Sequence, residues 1–374
     1  MKVLTKEYAE AHIPKLGFGL MRLPMKDDVI DIEQVKEMAD HYMESGMNYF
    51  DTAWFYHGGK SELALKEAVV ERYPRESFTI ADKLPIWEVN APEDIERIFN
   101  TQLERCGVEY FDYYLLHALN GANNAKCEEM GAYEFCLKMK EEGKIKHLGF
   151  SFHGTTDDIK HILANHHEAI EFVQLQINYY DWEFDYKAQY EVVREYDLPI
   201  VVMEPVRGGF LAKMPKEIED AFKQHSPEMS IASWALRWVT SLEGVVISLS
   251  GMSNFEQLKD NVSFMADFKP MDDAELAVVK EAVKTLVEAP IIPCTDCKYC
   301  IDCPMEIPIF DVFKVYNEEF INKKNLGAFK KAYTDGFEDA HNAAVCIACC
   351  MCEPVCPQNI PIIDRLADIA ALVE

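Results

Sequence analysis

Nine of the chain's twelve cysteines follow residue 290, and eight of those nine keep a spacing that suits metal chemistry. Cys294, Cys297, Cys300 and Cys303 are separated by two residues each and followed by Pro304. Cys346, Cys349, Cys352 and Cys356 run at intervals of two, two and three, followed by Pro357. Thiolates are soft ligands that suit iron and sulfide. A C-x2-C-x2-C-x3-C-P run lets one loop wrap three corners of a cubane and send its fourth cysteine to a second cluster. The first group is one residue short in its last interval. A pair of four-cysteine zinc sites is the competing reading, but zinc cysteine pairs are normally separated by a longer stretch, so runs of three cysteines at x2 favour clusters. A disulfide framework is the weaker reading for a chain expected to stay in the reducing cytosol. Cys350 is out of phase inside the second run, and Cys106, Cys127 and Cys136 fall in expected helices or loops. These four are read as bystanders.

A second set of candidates lies far upstream. Asp51 and Tyr56 occur in DTAWFYHGGKSE, Lys83 in TIADKLP and His117 in DYYLLHALN. Each closes or directly follows a short β-rich run, so neighbouring strands would converge them on one pocket. The other histidines, including His41, His161, His166 and His167, are read as surface residues.

The elements that must position these residues are legible as an alternation. Eight apolar, strand-like runs are KLGFGLMRL, NYFDTAWF, FTIADKL, FDYYLLHAL, IKHLGFSFH, FVQLQINYY, LPIVVMEPV and GVVISLSGM. Amphipathic stretches between them, such as Asp31 to Ser45, Pro92 to Cys106, Tyr133 to Glu142 and Met229 to Thr240, repeat apolar residues at helical spacing. Eight strand-helix units in about 250 residues predict an α/β fold of the (β/α)8 TIM-barrel kind, with active residues at the C-terminal strand ends. An open doubly wound sheet also alternates, but GFGLMR lacks the third glycine and the immediate helix of its phosphate turn.

Residues 272–289 read as a closing helix, and prolines then break the pattern. The expected domains are a barrel over 1–289 and a small α-helical domain over 290–374, whose helices fill the space between the cysteine groups. A length of 374 residues accommodates both. The formal charge of -27 would repel phosphate backbones and anionic lipid, so neither nucleic acid nor a membrane is an expected partner. No apolar run approaches the roughly 18 residues that span a bilayer, and a cytoplasmic protein is expected.

The chain from about Leu16 to Asn261 resembles the aldo-keto reductases. The residues that carry the likeness are the D-x4-Y spacing of Asp51 and Tyr56, the G-x-S-E that follows, the strand-end Lys83 and the LLH of His117. The resemblance implies an oxidoreductase that reduces a small-molecule carbonyl with hydride from NADP(H) or NAD(H), Tyr56 giving the proton to the developing alkoxide. A free phenol has a pKa near 10, so a Tyr working near neutrality needs its phenolate stabilised. Lys83 could lower it by about two units, roughly 2.7 kcal/mol, with Asp51 holding Lys83 charged and aimed. His117 would polarise the carbonyl. Trp54, Phe55, Trp87 and Tyr179 suggest an aromatic-walled pocket, although such residues are more often packing.

The same likeness implies Ser151, Gln176 and Asn178 on the carboxamide side of the nicotinamide. SLSGMSNFEQLKDN resembles the family's last cofactor loop, which puts Gly251, Met252, Ser253, Gln257 and Asn261 against phosphate at a helix N-terminus. Met252 and Gln257 stand where many relatives that prefer the 2'-phosphate carry basic residues, which leaves the choice of nicotinamide open.

The cysteine tail resembles the helical dicluster ferredoxin domains. That implies two 4Fe-4S clusters, one on Cys294, Cys297, Cys300 and Cys356, the other on Cys303, Cys346, Cys349 and Cys352. A cluster passes single electrons and nicotinamide a hydride, so direct exchange between the halves needs an intermediary such as flavin, for which the sequence has no motif. Three roles follow for the tail. The clusters fold it structurally; or they feed a flavin or radical-forming substrate in the barrel from a redox partner such as ferredoxin or flavodoxin; or the chain is an electron carrier with an idle barrel.

Overall fold

The computed structural model describes residues 15–287, 291–321 and 326–373. The expected boundary near Pro290 lies outside these. Two compact units are present, Met1–Pro205 with Ser233–Met271, and Val206–Ala232 with Asp272–Glu374.

The first unit holds a closed parallel barrel. Its strands are β1 (Leu16–Gly19), β4 (Tyr49–Asp51), β5 (Thr79–Leu84), β6 (Phe111–Leu119), β7 (Ile145–Phe152), β8 (Phe172–Gln176), β9 (Ile200–Met203) and β10 (Val245–Ser250). Each pairs with the next, and β1 closes the ring on β10 and β4. All eight expected runs therefore form barrel strands. They are short apolar runs because both faces are covered, as in β5 and β6, where nearly every residue is buried. Inside the barrel Tyr49, Tyr113, Leu115, Phe172 and Leu249 share one apolar cluster.

Several runs end earlier than expected. KLGFGLMRL stops as a strand at Gly19 and tightens into a 3-10 turn over Leu20–Arg22. A small hairpin follows, β2 (Met25–Lys26) pairing antiparallel with β3 (Val29–Ile30), which the sequence reading did not anticipate. FVQLQINYY ends at Gln176 because Asn178 folds the chain, its Oδ1 accepting the backbone N–H groups of Tyr180 and Asp181.

Helix limits follow their caps. Pro92–Cys106 starts with Pro at its first turn, where no N–H partner is lost, and Asp94 accepts the Ala91 N–H. It ends at Gly107, whose φ of 70° is the left-handed C-terminal stop.

The second unit is helical, as expected for the tail. Its helices include Lys216–His225, Asp273–Val287, Ile309–Ile321, Leu326–Gly336 and Ile362–Val373. Residues including Ile292, Ile309, Phe313, Phe329, Tyr333 and Leu366 form its core. Among the described residues no helix is long and apolar enough to cross a membrane.

Candidate active site and cluster sites

Asp51 ends β4, Lys83 lies near the end of β5 and His117 near the end of β6, so three adjacent strands deliver them to one rim. Tyr56 opens the turn after β4 and is half-buried. The Lys83 ammonium is fully buried, donating to Asp51 Oδ1 at 2.7 Å and to the Thr52 carbonyl at 2.6 Å. It stands 5.1 Å from the Tyr56 ring centroid. The His117 ring meets Tyr56 edge-on at 6.3 Å. The four residues read from the sequence are thus brought together.

Their electrostatics differ from the expectation in one respect. Tyr56 is not lowered: burial, then Asp51, Glu204 and Asp82, push its phenol well above 10. The sequence reading weighed Lys83 alone, whereas the pocket adds desolvation and carboxylates from β4, β5 and the end of β9. Tyr56 is consequently a neutral O–H donor near neutrality. Burial also raises Asp51, while Lys83 pulls it back. His117 is pushed well below 6.5 by burial and by Lys83 and His153, so its imidazole is neutral.

Aromatic residues wall one side. Phe55 stacks on Trp87 at 5.9 Å, and Trp87 meets His117 at 5.0 Å. Trp54 carries the Arg105 guanidinium 4.0 Å above its ring. Tyr179 is buried against Trp238, with its hydroxyl lacking a hydrogen-bond partner among the described residues.

Ser151 closes β7 and accepts the Ala118 N–H at 2.8 Å, satisfying a left-handed residue that bends β6 after His117. Gln176, at the end of β8, is buried. Asn178 is engaged in its own turn, its Nδ2 also donating to Asp181 at 2.9 Å. Gly251 and Ser253 are exposed in the loop before the helix Phe255–Met265, and Asn254 caps that helix by accepting the Gln257 N–H. Gln257 turns back to accept the Ser253 N–H, Asn261 donates to Ser250, and Met252 is 1% exposed. Met252 is thus buried, whereas Gln257 is exposed with its side chain turned back onto the loop.

A cation does reach this loop. The Arg22 side-chain stem lies where a Cβ on Gly251 would stand 3.1 Å from it, and its guanidinium approaches Glu204 at 3.9 Å. The sequence reading missed Arg22, whose only signal was a basic residue three positions after β1. An exposed loop at a helix N-terminus beside an arginine fits a phosphate-bearing cofactor.

The tail brings its cysteines together in two cavities. One, of about 160 Å³, is lined by Cys303, Cys346, Cys349 and Cys352, with Cys300 and Cys350 also at its wall. The other is lined by Cys294, Cys297, Cys300 and Cys356. Each gathers thiols from both motifs, the fourth crossing from the opposite run. The thiols surround a space instead of meeting at a point: among the described residues no group of three or more His, Cys, Asp or Glu could hold a single metal ion. Burial holds the Cys294, Cys300 and Cys352 thiols up, to about 11, 12 and 11, so cluster loading must displace protons. The two loops share one backbone shape. Asp296 and Lys298 flank Cys297 with positive φ, and Ala348 and Cys350 flank Cys349 in the same way.

The remaining cysteines and histidines are elsewhere. Cys106, Cys127 and Cys136 are buried in helices, Cys106 lying 3.7 Å from Asp82. His161 is exposed, and the other three are partly exposed with their rings against aromatic neighbours. His41 meets Phe255, His166 stacks on Tyr133 at 3.8 Å and His167 meets Tyr196, each half-buried because its ring covers a neighbouring aromatic.

A closed parallel barrel with its polar groups at the strand ends defines an enzyme of the (β/α)8 class. Residues 15–284 match the aldo/keto reductase family, and the chain belongs to it; residues 293–361 match the 4Fe-4S dicluster domain. The chain is 25% identical over 310 residues to a probable aldo-keto reductase 1 of Glycine max, covering 72% of this chain and 86% of that one. It is 23% identical to the Schizosaccharomyces pombe aldo-keto reductase yakc [NADP(+)], covering 66% and 75%. An NADH-specific methylglyoxal reductase of Escherichia coli is 22% identical, covering 64% and 85%. In fold it is similar to a Klebsiella pneumoniae aldo-keto reductase solved with NADPH, at a TM-score of 0.58 and 20% identity over 72% of this chain and 90% of that one.

Proposed function

We propose that the barrel reduces a small aldehyde or ketone with NAD(P)H. The observation that carries this is the fully buried Lys83 ammonium, held by Asp51 beneath the Tyr56 ring, with His117 on the edge of the same ring. The nicotinamide, when bound, supplies the hydride. Tyr56 gives its proton to the carbonyl oxygen as the carbonyl carbon gains hydrogen, so C=O becomes CH–OH and the phenolate takes its proton back from solvent. Lys83 stabilises that phenolate. Neutral His117 donates a ring N–H to the carbonyl oxygen and needs no change of charge near neutrality. Arg22 and the helix N-terminus at Phe255 would hold phosphate, with Ser151, Gln176 and Asn178 toward the carboxamide. Relatives named for NADP(+) and for NADH support a nicotinamide without selecting one.

Tyr56→Phe tests this reading. Carbonyl reduction, followed by NADPH or NADH absorbance over a panel of aldehydes, should fall by about 10² to 10⁴-fold. Cluster absorbance should be unchanged. Undiminished turnover would remove Tyr56 from the chemistry.

For the tail, the reading is that the clusters complete a small core. Cys294, Cys300, Cys303, Cys346, Cys352 and Cys356 pack against its buried residues, so metal loading extends the core. A second reading, electron exchange with a one-electron carrier, is favoured by the exposed Ile347, Met351 and Val355 at the larger cavity. Anaerobic mixing with a reduced one-electron carrier such as ferredoxin separates the two. Clusters that keep their colour support the structural role, and bleaching supports electron exchange.

A further inference from the structure

Behind Lys83 lies a buried polar network that takes no part in hydride or proton transfer. Glu62, Asp82, Gln102 and Tyr114 are each 0% exposed. The network is needed because β4 is short. Its last residue, Asp51, pairs with Ala81, and the following Thr52 N–H donates to the Ala81 carbonyl. The chain then leaves the sheet to carry Tyr56, and the Thr52 carbonyl takes the Lys83 ammonium. Lys83 therefore has no β4 partner for its own backbone among the described residues, and buried N–H and C=O groups require one. Two side chains stand in for the missing strand. Asp82 Oδ1 accepts the Lys83 N–H at 2.8 Å, and Gln102 Nε2, from the helix Pro92–Cys106, donates to the Lys83 carbonyl at 3.0 Å.

Gln102 also reaches the segment that bears Tyr56. Glu62 lies in the helix Ser61–Leu65, which begins just after the turn Tyr56–Gly59. Glu62 Oε1 accepts from Gln102 Nε2 at 3.2 Å, and its Oε2 accepts from Arg105 at 3.0 Å. Gln102 Oε1 accepts the Tyr114 hydroxyl at 2.6 Å, so both ends of the amide are committed and its orientation is fixed. Glu62 and Asp82 also hydrogen-bond to each other. Two buried carboxyls in contact share a proton, and burial with Glu62 holds Asp82 well above the usual carboxylate range. One amide thus ties the strand that carries Lys83 to the helix that follows Tyr56.

We propose that Gln102, with Asp82 beside it, is a positioning residue for the reduction: it clamps the Lys83 peptide to Glu62 and so fixes the Lys83 ammonium beneath Tyr56. This rests on the carbonyl-reduction reading. A wild-type protein that reduces no carbonyl would fail that reading, whereas an active wild type matched by its Gln102 variant would fail this one.

The test is steady-state kinetics on the full-length holoprotein, with NADPH or NADH and the most reactive aldehyde of the panel, beside thermal unfolding of each variant. Gln102→Met keeps the side-chain length and removes both donors. It should lower kcat by about 10- to 10²-fold, the scale of a small misplacement at a reacting group, and leave KM for aldehyde and cofactor in place. Asp82→Ala should act in the same sense. Asp82→Asn, whose oxygen can still accept the Lys83 N–H and whose amide can donate to Glu62, should recover most of that loss. Where Gln102→Met does not fold, the two Asp82 variants decide the matter. An unchanged kcat in folded Gln102→Met, a rise in KM that accounts for the loss, or an Asp82→Asn as impaired as Asp82→Ala would overturn the proposal.

Discussion

Lys83 Nζ stands 2.7 Å from Asp51 Oδ1, with side-chain exposures of 0% and 4%. The second Asp51 oxygen is buried without a hydrogen-bond partner among the described residues, while Asp51 Oδ1 and the Thr52 carbonyl share the Lys83 ammonium. A buried ion pair is weak evidence for stability, since desolvation offsets most of the attraction. What it does here is fix a positive charge beneath a phenol that its surroundings otherwise keep protonated.

Removing one partner should therefore cost more than the pair is worth. Lys83→Met leaves Asp51 alone in the interior, and urea unfolding should show a loss of about 3–5 kcal/mol. Adding Asp51→Asn removes the stranded charge and should restore part of that stability. Carbonyl reduction should remain absent in both, because neither variant has the ammonium. Recovery of activity in the double variant would mean that Lys83 serves folding and not the phenolate.

Stability should also fall with acid. His153 is held down to about 4 by burial alone, and His117 is pushed down in the same sense. Between about 6.5 and 4 the unfolded imidazole binds a proton that the folded one refuses, so this contribution is present above pH 6.5 and lost as pH falls toward 4. For His153 it amounts to about 2 kcal/mol by pH 5, at roughly 1.4 kcal/mol per unit. His153→Gln should flatten the difference between pH 6.5 and pH 5 in denaturant titrations run beside wild type. Parallel curves for the two proteins would show that His153 charges freely in the folded state.

The barrel strands were legible because each is a short apolar run bounded by turn residues, a pattern that the two-sided burial of β5 and β6 imposes. The tetrad was legible because strand ends mark a rim. Arg22 was not, because only closure of β1 onto β10 brings it beside Gly251. Glu204 was missed for a related reason: its effect on Tyr56 depends on β9 standing across the same mouth. The hairpin of β2 and β3 is two residues per strand, too short for any periodicity. In the tail the sequence carries a further signal. CPMEIPI from Cys303 and CPQNIPI from Cys356 repeat one another, and Glu306 and Asn359 both take positive φ three residues after their cysteines. That repeat places Cys303 and Cys356 in equivalent positions despite the shorter interval before Cys303.

The shorter interval can be tested at the larger cavity, where the thiols outnumber the ligand sites of one cluster. Cys303 packs against the core of the tail, whereas Cys350 is exposed and left-handed, its Sγ 3.5 Å from the Ala348 carbonyl within its own loop. Both line the cavity, but Cys303 does so from a position packed on the core of the tail and Cys350 from an exposed loop position. Cys303→Ala should then cost the second cluster, lowering bound iron and sulfide toward half and removing one of two signals in the reduced spectrum. Cys350→Ala should leave both signals and the full metal content. The reverse pattern would mean that the missing residue before Cys303 takes it out of reach and that the neighbouring thiol completes the site.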